Sequence, residues 1–173
     1  MKDAAITMYQ YHAWANNTLL QHVKGLPDSV YREQITSSFP TLAHAFAHIL
    51  AVDYSWLGIM EGTEMADSMI EGRAVEAAAR ELSLPELEER YAEVRHRFEA
   101  FLTGQADLDR TILVRNPYAG DRDTRLSEIV LQIVNHATYH RGNISTMLRQ
   151  MGYASTMTEY ALFWYADPAQ VQA

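Results

Sequence analysis

The chain has 173 residues, with 14 basic and 22 acidic side chains and a net charge of −8. That length can bury a substantial core. The acidic balance offers no basic stripe for phosphates, so no nucleic-acid partner is expected. With no cysteine, disulfides, thiolate-ligated zinc, iron–sulfur clusters and a cysteine nucleophile are excluded. Polar residues interrupt the stretch MKDAAITMYQYHAWANN, so it does not read as a signal peptide. No apolar run approaches the roughly 18 residues of a membrane span. A cytoplasmic chain of one domain over 1–173, without a membrane partner, is the expectation.

The first predicted helix runs from about Asp3 to Lys24. Ala5, Met8, His12, Ala15, Leu19 and Val23 form its stripe, and Gly25 and Pro27 stop it. The second is expected from about Ser38 and Pro40, as cap and first turn, to Glu61 before Gly62. Leu42, Phe46, Ile49, Leu50, Leu57 and Met60 form its apolar face. Alanines fill much of the remainder, which predicts burial on most sides. The third carries Leu84, Leu87, Tyr91, Val94, Phe98 and Phe101 in steps of three and four. Ser83 and Glu86 read as a capping box with Pro85 in the first turn. The fourth spans about Thr124 to Met151, with Gly152 as its stop. Its stripe is Leu126, Ile129, Val130, Ile133, Ala137, Ile144, Met147 and Leu148. A short aromatic segment from about Glu159 to Tyr165 is expected to pack back on the body. Four long amphipathic helices predict an all-α fold, a four-helix bundle with a short C-terminal helix. Two long connections remain, 62–82 with a short helix and 104–123 with turn signals at Asn116-Pro117 and Ala119-Gly120. Long connections of this kind often shape a binding site.

Seven histidines are present, at positions 12, 22, 44, 48, 96, 136 and 140. His136 and His140 are four apart, so they diverge by about 40° and share a helix face. That face is the apolar stripe, where two imidazoles are costly unless something engages their nitrogens. A divalent metal does so, with neutral histidine as its usual ligand. The second helix repeats the spacing at His44 and His48. One such pair arises often by chance; two on neighbouring apolar helices can assemble a metal site. No glutamate follows His136, so the pair is not a zincin motif. His12 reads as a core or supporting histidine, and His22 and His96 as solvent-facing.

The stretch Asn135-His136-Ala137-Thr138-Tyr139-His140-Arg141-Gly142-Asn143-Ile144 resembles the NHxxYHRGQI signature of the DinB/YfiT-like metalloenzymes. Trp14-Ala15-Asn16 is similar to that family's WAN element. His48, followed by Asp53 and by Trp56-Leu57, is similar to its second-helix pattern. The resemblance runs along nearly the whole chain, with Asn143 where the family more often has Gln. It implies an up-down-down-up bundle and a divalent metal held by His48, His136 and His140. Three protein ligands imply an open coordination position, the pattern of a catalytic site. Zinc or nickel would suit the imidazoles, and iron or copper would also bind. The open position would activate water for hydrolysis or bind a substrate thiolate. Relatives in the family include transferases and isomerases that use thiols such as bacillithiol or mycothiol. The partner implied is therefore a small molecule, a low-molecular-weight thiol included.

His44 is left as a supporting group or a fourth ligand. Asp53, about 140° around the helix from His48, reads as an acceptor supporting a metal ligand or as a polar partner within the core, and not as a base. Tyr139 should point away from the histidines, Arg141 should meet solvent, ahead of the alternative of an acidic substrate, and Trp14 and Asn16 should serve packing and hydrogen bonding. Arg73, Arg115 and Arg122 could meet an anionic cosubstrate. Met65, Met69 and Ile70 are expected at the surface, where a second copy could cover them in a homodimer. Three functions stay open: a metal-dependent thiol transferase or hydrolase, a non-catalytic metal-binding or stress-related protein, and a dimerising structural bundle.

Overall fold

In a computed structural model of the chain, residues 4–167 are described. The order is α1 (Ala4–Lys24), a 3-10 turn (Asp28–Arg32), α2 (Leu42–Glu61), α3 (Met65–Ala79), α4 (Leu84–Thr103), β1 (Thr111–Asn116), β2 (Gly120–Arg125), α5 (Leu126–Gln150) and α6 (Tyr160–Phe163). The fold is mostly helical, as the periodicity predicts, with one small two-stranded sheet that it does not.

The four long stripes converge on one core. All eight stripe residues of α5 are buried, as are all six of α2. Burial of each such leucine or isoleucine stabilises the fold by about 1.5–3 kcal/mol. Tyr9 of α1 stacks on Phe98 of α4 with ring centroids 4.5 Å apart, while Gln21 reaches Glu88. Early α1 thus meets late α4, and these helices run antiparallel. Tyr91 donates to the Phe46 carbonyl at 2.8 Å, and Arg97 reaches Glu61 at 2.8 Å. α2 and α4 therefore run the same way.

The helix ends follow local chemistry. Ser83 and Glu86 form the expected capping box, with Glu86 Oε2 accepting from Ser83 N at 2.8 Å. α2 starts later than predicted: Thr41 is its cap and accepts from His44 N at 3.3 Å, so Ser38 and Pro40 lie in the preceding loop. Gly62 ends α2 at φ +108, a left-handed conformation that a side chain would strain. α5 begins at Leu126, since Thr124 is a buried residue of β2. The predicted start of α1 at Asp3 lies outside the described residues.

Two elements were not foreseen at their true size. The helix within 62–82 is α3, 15 residues long. It buries only Ser68, Gly72 and Ala79, so it has no apolar stripe to read. It docks through small residues instead. Ser68 Oγ donates to the Ser55 carbonyl at 2.7 Å, and Ser55 Oγ donates to the Ser68 carbonyl at 3.2 Å. A Cβ on Gly72 would collide with Ser55 Oγ and lie 3.3 Å from the Ala51 carbonyl. The connection 104–123 holds the antiparallel β1–β2 hairpin, closing at Asn116↔Gly120. Asn116 Oδ1 accepts from the Tyr118 and Ala119 amides at 2.9 and 3.1 Å, and Gly120 has φ +88. That is the chemistry of a three-residue hairpin loop. α6 packs back as expected, with Tyr160 and Phe163 against Tyr11 at 5.1 and 5.9 Å.

Among the described residues no helix is long and apolar enough to cross a membrane.

Candidate metal centre

His48 on α2 and His136 and His140 on α5 come together. The Nε2 atoms of His48 and His136 are 3.2 Å apart, and those of His140 and His136 are 3.0 Å apart. Ring centroids are 5.1 Å apart for His48 and His136, 4.7 Å for His48 and His140, and 4.4 Å for His136 and His140. The geometry follows from the sequence: the i, i+4 pair places two rings on one edge of the α5 stripe, and α2 packs against that edge. Among the described residues, these three form the group of histidines and acids able to hold a metal ion.

Three imidazole nitrogens facing one another repel if all the rings are charged, and set lone pair against lone pair if all are neutral with the proton on Nδ1. Burial, then the neighbouring His140, His48 and His12, holds His136 down to about 4. Burial, then His48, holds His140 down to about 4. At neutral pH both are unprotonated, the form that binds a metal. A tetrahedral ion with nitrogens about 2.0–2.1 Å away sets them about 3.3 Å from one another. The observed spacings lie close to that value, so the residues fit a bound divalent ion.

The rings are held from behind. Glu76 Oε2 on α3 lies 3.3 Å from His48 Nδ1, and the same carboxylate pairs with Arg80. A carboxylate there fixes the ring and raises its basicity as a ligand. Asn143 contacts His140 Nδ1 at 3.2 Å. His136 Nδ1 is buried with no hydrogen-bond partner. Phe39 packs against His140 and His48, at centroid distances of 5.2 and 5.5 Å. Sequence reasoning did not single out Glu76, Phe39 or Arg80. Glu76 lies 28 residues from His48 on a helix without a stripe, and only packing joins them.

The other candidates fall into place around this group. His44 is not in it: its Nδ1 contacts Thr41 Oγ1 at 2.8 Å. Burial, then Arg80, lowers its pKa. His12 is buried, 2.7 Å from Asp53 Oδ2 and 3.1 Å from Asn16 Nδ2. Asp53 is thus the polar core partner expected, of His12. Tyr139 is 68% exposed, and His96 is exposed. His22 departs from expectation, being half-buried with Nε2 2.7 Å from the Ala154 carbonyl.

Arg141 corrects the sequence reading more strongly. It does not meet solvent but is 2% exposed. It donates to Asn16 Oδ1 at 2.9 Å, Thr138 Oγ1 at 2.7 Å and the Tyr11 hydroxyl at 3.3 Å. A charge read as solvated is here the polar link between α1 and α5. Arg115 pairs with Glu64 at 2.7 Å and Arg122 with Glu128 at 3.0 Å. Arg73 is exposed on α3. The connection 62–82 does shape the centre, through Glu76. The hairpin of 104–123 lies instead by Glu64, past the far end of α2.

Comparison with known proteins bears on the fold and the family. Protein DinB of Bacillus subtilis (strain 168) is 33% identical over 165 residues, covering 95% of this chain and 96% of that protein. The fold is similar to the crystal structure of a mycothiol-dependent maleylpyruvate isomerase, with TM-score 0.65 and 15% identity, covering 80% of this chain. A histidine-to-alanine mutant of that isomerase matches with TM-score 0.62 and 15% identity, over 83% of this chain. The chain spans only 58% and 64% of the length of these two structures. The profile of the DinB family matches residues 1–171, and the chain belongs to the DinB family.

Proposed function

We propose that this chain is a metal-dependent enzyme of the DinB family that acts on a small molecule, with a low-molecular-weight thiol as cosubstrate. The observation that carries the reading is the convergence of three histidines from two helices, with His136 Nε2 3.2 Å from His48 Nε2 and 3.0 Å from His140 Nε2. In this reading His48, His136 and His140 hold a divalent ion, zinc or nickel ahead of iron or copper. When bound, such an ion supplies Lewis acidity at an open position, making a thiol or water there easier to deprotonate. Burial keeps His136 and His140 unprotonated for that purpose. Glu76 accepts a hydrogen bond from His48 Nδ1–H and orients the ring. Phe39 covers one side of the group and keeps water from it. His44, held by Thr41, leaves the fourth position to substrate. This favours catalysis over a closed structural site.

The wider reading is a domain over 1–173 folded as an up-down-down-up bundle. The antiparallel α1–α4 pair and the parallel α2–α4 pair support that order. We place the chain in the cytoplasm, consistent with its lack of cysteine. A homodimer is proposed, with exposed apolar side chains such as Ile70, at 58%, available to a second copy.

The test uses protein loaded with cobalt(II), whose absorption bands report its ligands. Bacillithiol, mycothiol and glutathione are titrated in turn, then supplied with an electrophile. The reading predicts a band shift and thiol consumption with at least one thiol, both lost in His140→Ala. Unchanged bands and no turnover with any thiol would overturn the thiol assignment and leave hydrolysis as the reaction class to examine.

A further inference from the structure

The side of α5 turned away from the histidines carries a second polar feature. Thr138, Arg141, Ser145 and Arg149 recur at intervals of three and four and share one face. Ser145 lies about 140° around the helix from His140. Together with the segment 155–160 this face borders a groove of about 510 Å³.

Three observations set the groove apart from an ordinary surface dip. The first is the state of Arg141. Its guanidinium is buried, every hydrogen-bond partner it has is a neutral oxygen, and its Nε has no partner. The nearest charge acting on it is the buried carboxylate of Asp53, which reaches it through space and not by a hydrogen bond. A buried guanidinium with no directly bonded anion and an unpartnered Nε–H is costly. The second is Gly142, inside α5 and lining the same groove. Glycine weakens a helix interior, and neither a turn nor a close contact asks for it here. A Cβ built on it meets nothing within 4 Å, so the bare backbone leaves the groove floor open. The third is the lining itself. Ser145 and Ser155 supply hydroxyls, and two guanidiniums face the single carboxylate of Glu159.

We propose that this groove is an oxyanion site for a phosphate group, free or as a phosphate ester. Arg141 and Arg149 supply the charge, and Ser145 and Ser155 donate hydrogen bonds. Guanidinium and hydroxyl donors around an open helix backbone are the groups that match phosphate oxygens. The site is separate from the three-histidine group and does not rest on the metal reading.

The experiment uses the His136→Ala chain, so that anion binding to a metal cannot contribute. Inorganic phosphate and glycerol phosphate are titrated separately at ionic strength held constant with chloride. Amide and arginine Nε–H resonances are followed by NMR. The proposal predicts saturable shifts at Gly142, Ser145, Ser155 and the Arg141 Nε–H. Tighter binding of one probe tells free phosphate from ester. Arg149→Gln should weaken binding by about tenfold or more. Gly142→Leu, a better helix former than glycine, should fold and block the groove. Shifts that never saturate, or that match the chloride control, would overturn the proposal. So would wild-type affinity in both groove variants.

Discussion

Glu76→Ala is the sharpest perturbation short of removing a ligand. The carboxylate sits 3.3 Å behind His48 Nδ1, with side-chain exposures of 18% for Glu76 and 27% for His48. Both groups are therefore partly shielded from water, where a charge acts more strongly than on the open surface. Loss of such a partner costs about 10–100-fold in metal affinity, or about 1.4–2.7 kcal/mol. The alanine also strips Arg80 of its partner on Glu76. That leaves an uncompensated positive charge two contacts from the ion, which pushes the same way. Glu76→Gln keeps an acceptor for Nδ1–H and loses only the charge, so it should fall between wild type and alanine. Competition with a chromophoric chelator gives the three affinities. Glu93→Ala, which removes the partner of an exposed Arg90 pair, serves as the control. Affinity in Glu76→Ala within twofold of wild type would refute the role assigned to Glu76.

Gly72→Ala should destabilise the fold by about 1–3 kcal/mol, because its Cβ collides with Ser55 where α3 docks; an unchanged melting temperature would contradict that docking. Arg141→Met should cost about 2–4 kcal/mol by orphaning buried oxygens of Asn16 and Thr138; denaturant unfolding measures it, and a neutral result would refute the link between α1 and α5. His136 and His140 sit at about 4 in the fold against 6.5 when free. Between those values the unfolded chain binds more protons, so the metal-free protein loses stability as pH falls from 6.5 towards 4. The slope should flatten in a His136→Asn, His140→Asn double variant, and an identical slope in the variant would contradict the assigned shifts.

What was legible in the sequence was what repeats at helical period. The α5 stripe and the His136–His140 pair on its edge came from spacing alone. The choice of His48 over His44 came from the family resemblance, and the structure joins only His48 to the group. Elements held by other means were harder to read. α3 docks through Ser68 and Gly72, which leave no hydrophobic period. β2 reads Gly-Asp-Arg-Asp-Thr-Arg, with a single buried residue, Thr124. Its strand exists because β1 and the Asn116 turn template it. Arg141 was misread because charge on a helix usually means solvent. Its partners Tyr11 and Asn16 lie more than a hundred residues away. Glu76 stayed invisible for the same reason: only tertiary packing brings it to His48.

The central claim is that His48, His136 and His140 form a metal site. Elemental mass spectrometry of tag-free protein, beside its His136→Ala variant, tests it most directly. The account predicts one divalent ion per chain in the wild type and loss of that ion in the variant. No metal in either, with melting temperatures unmoved by added zinc, nickel or iron, would contradict it.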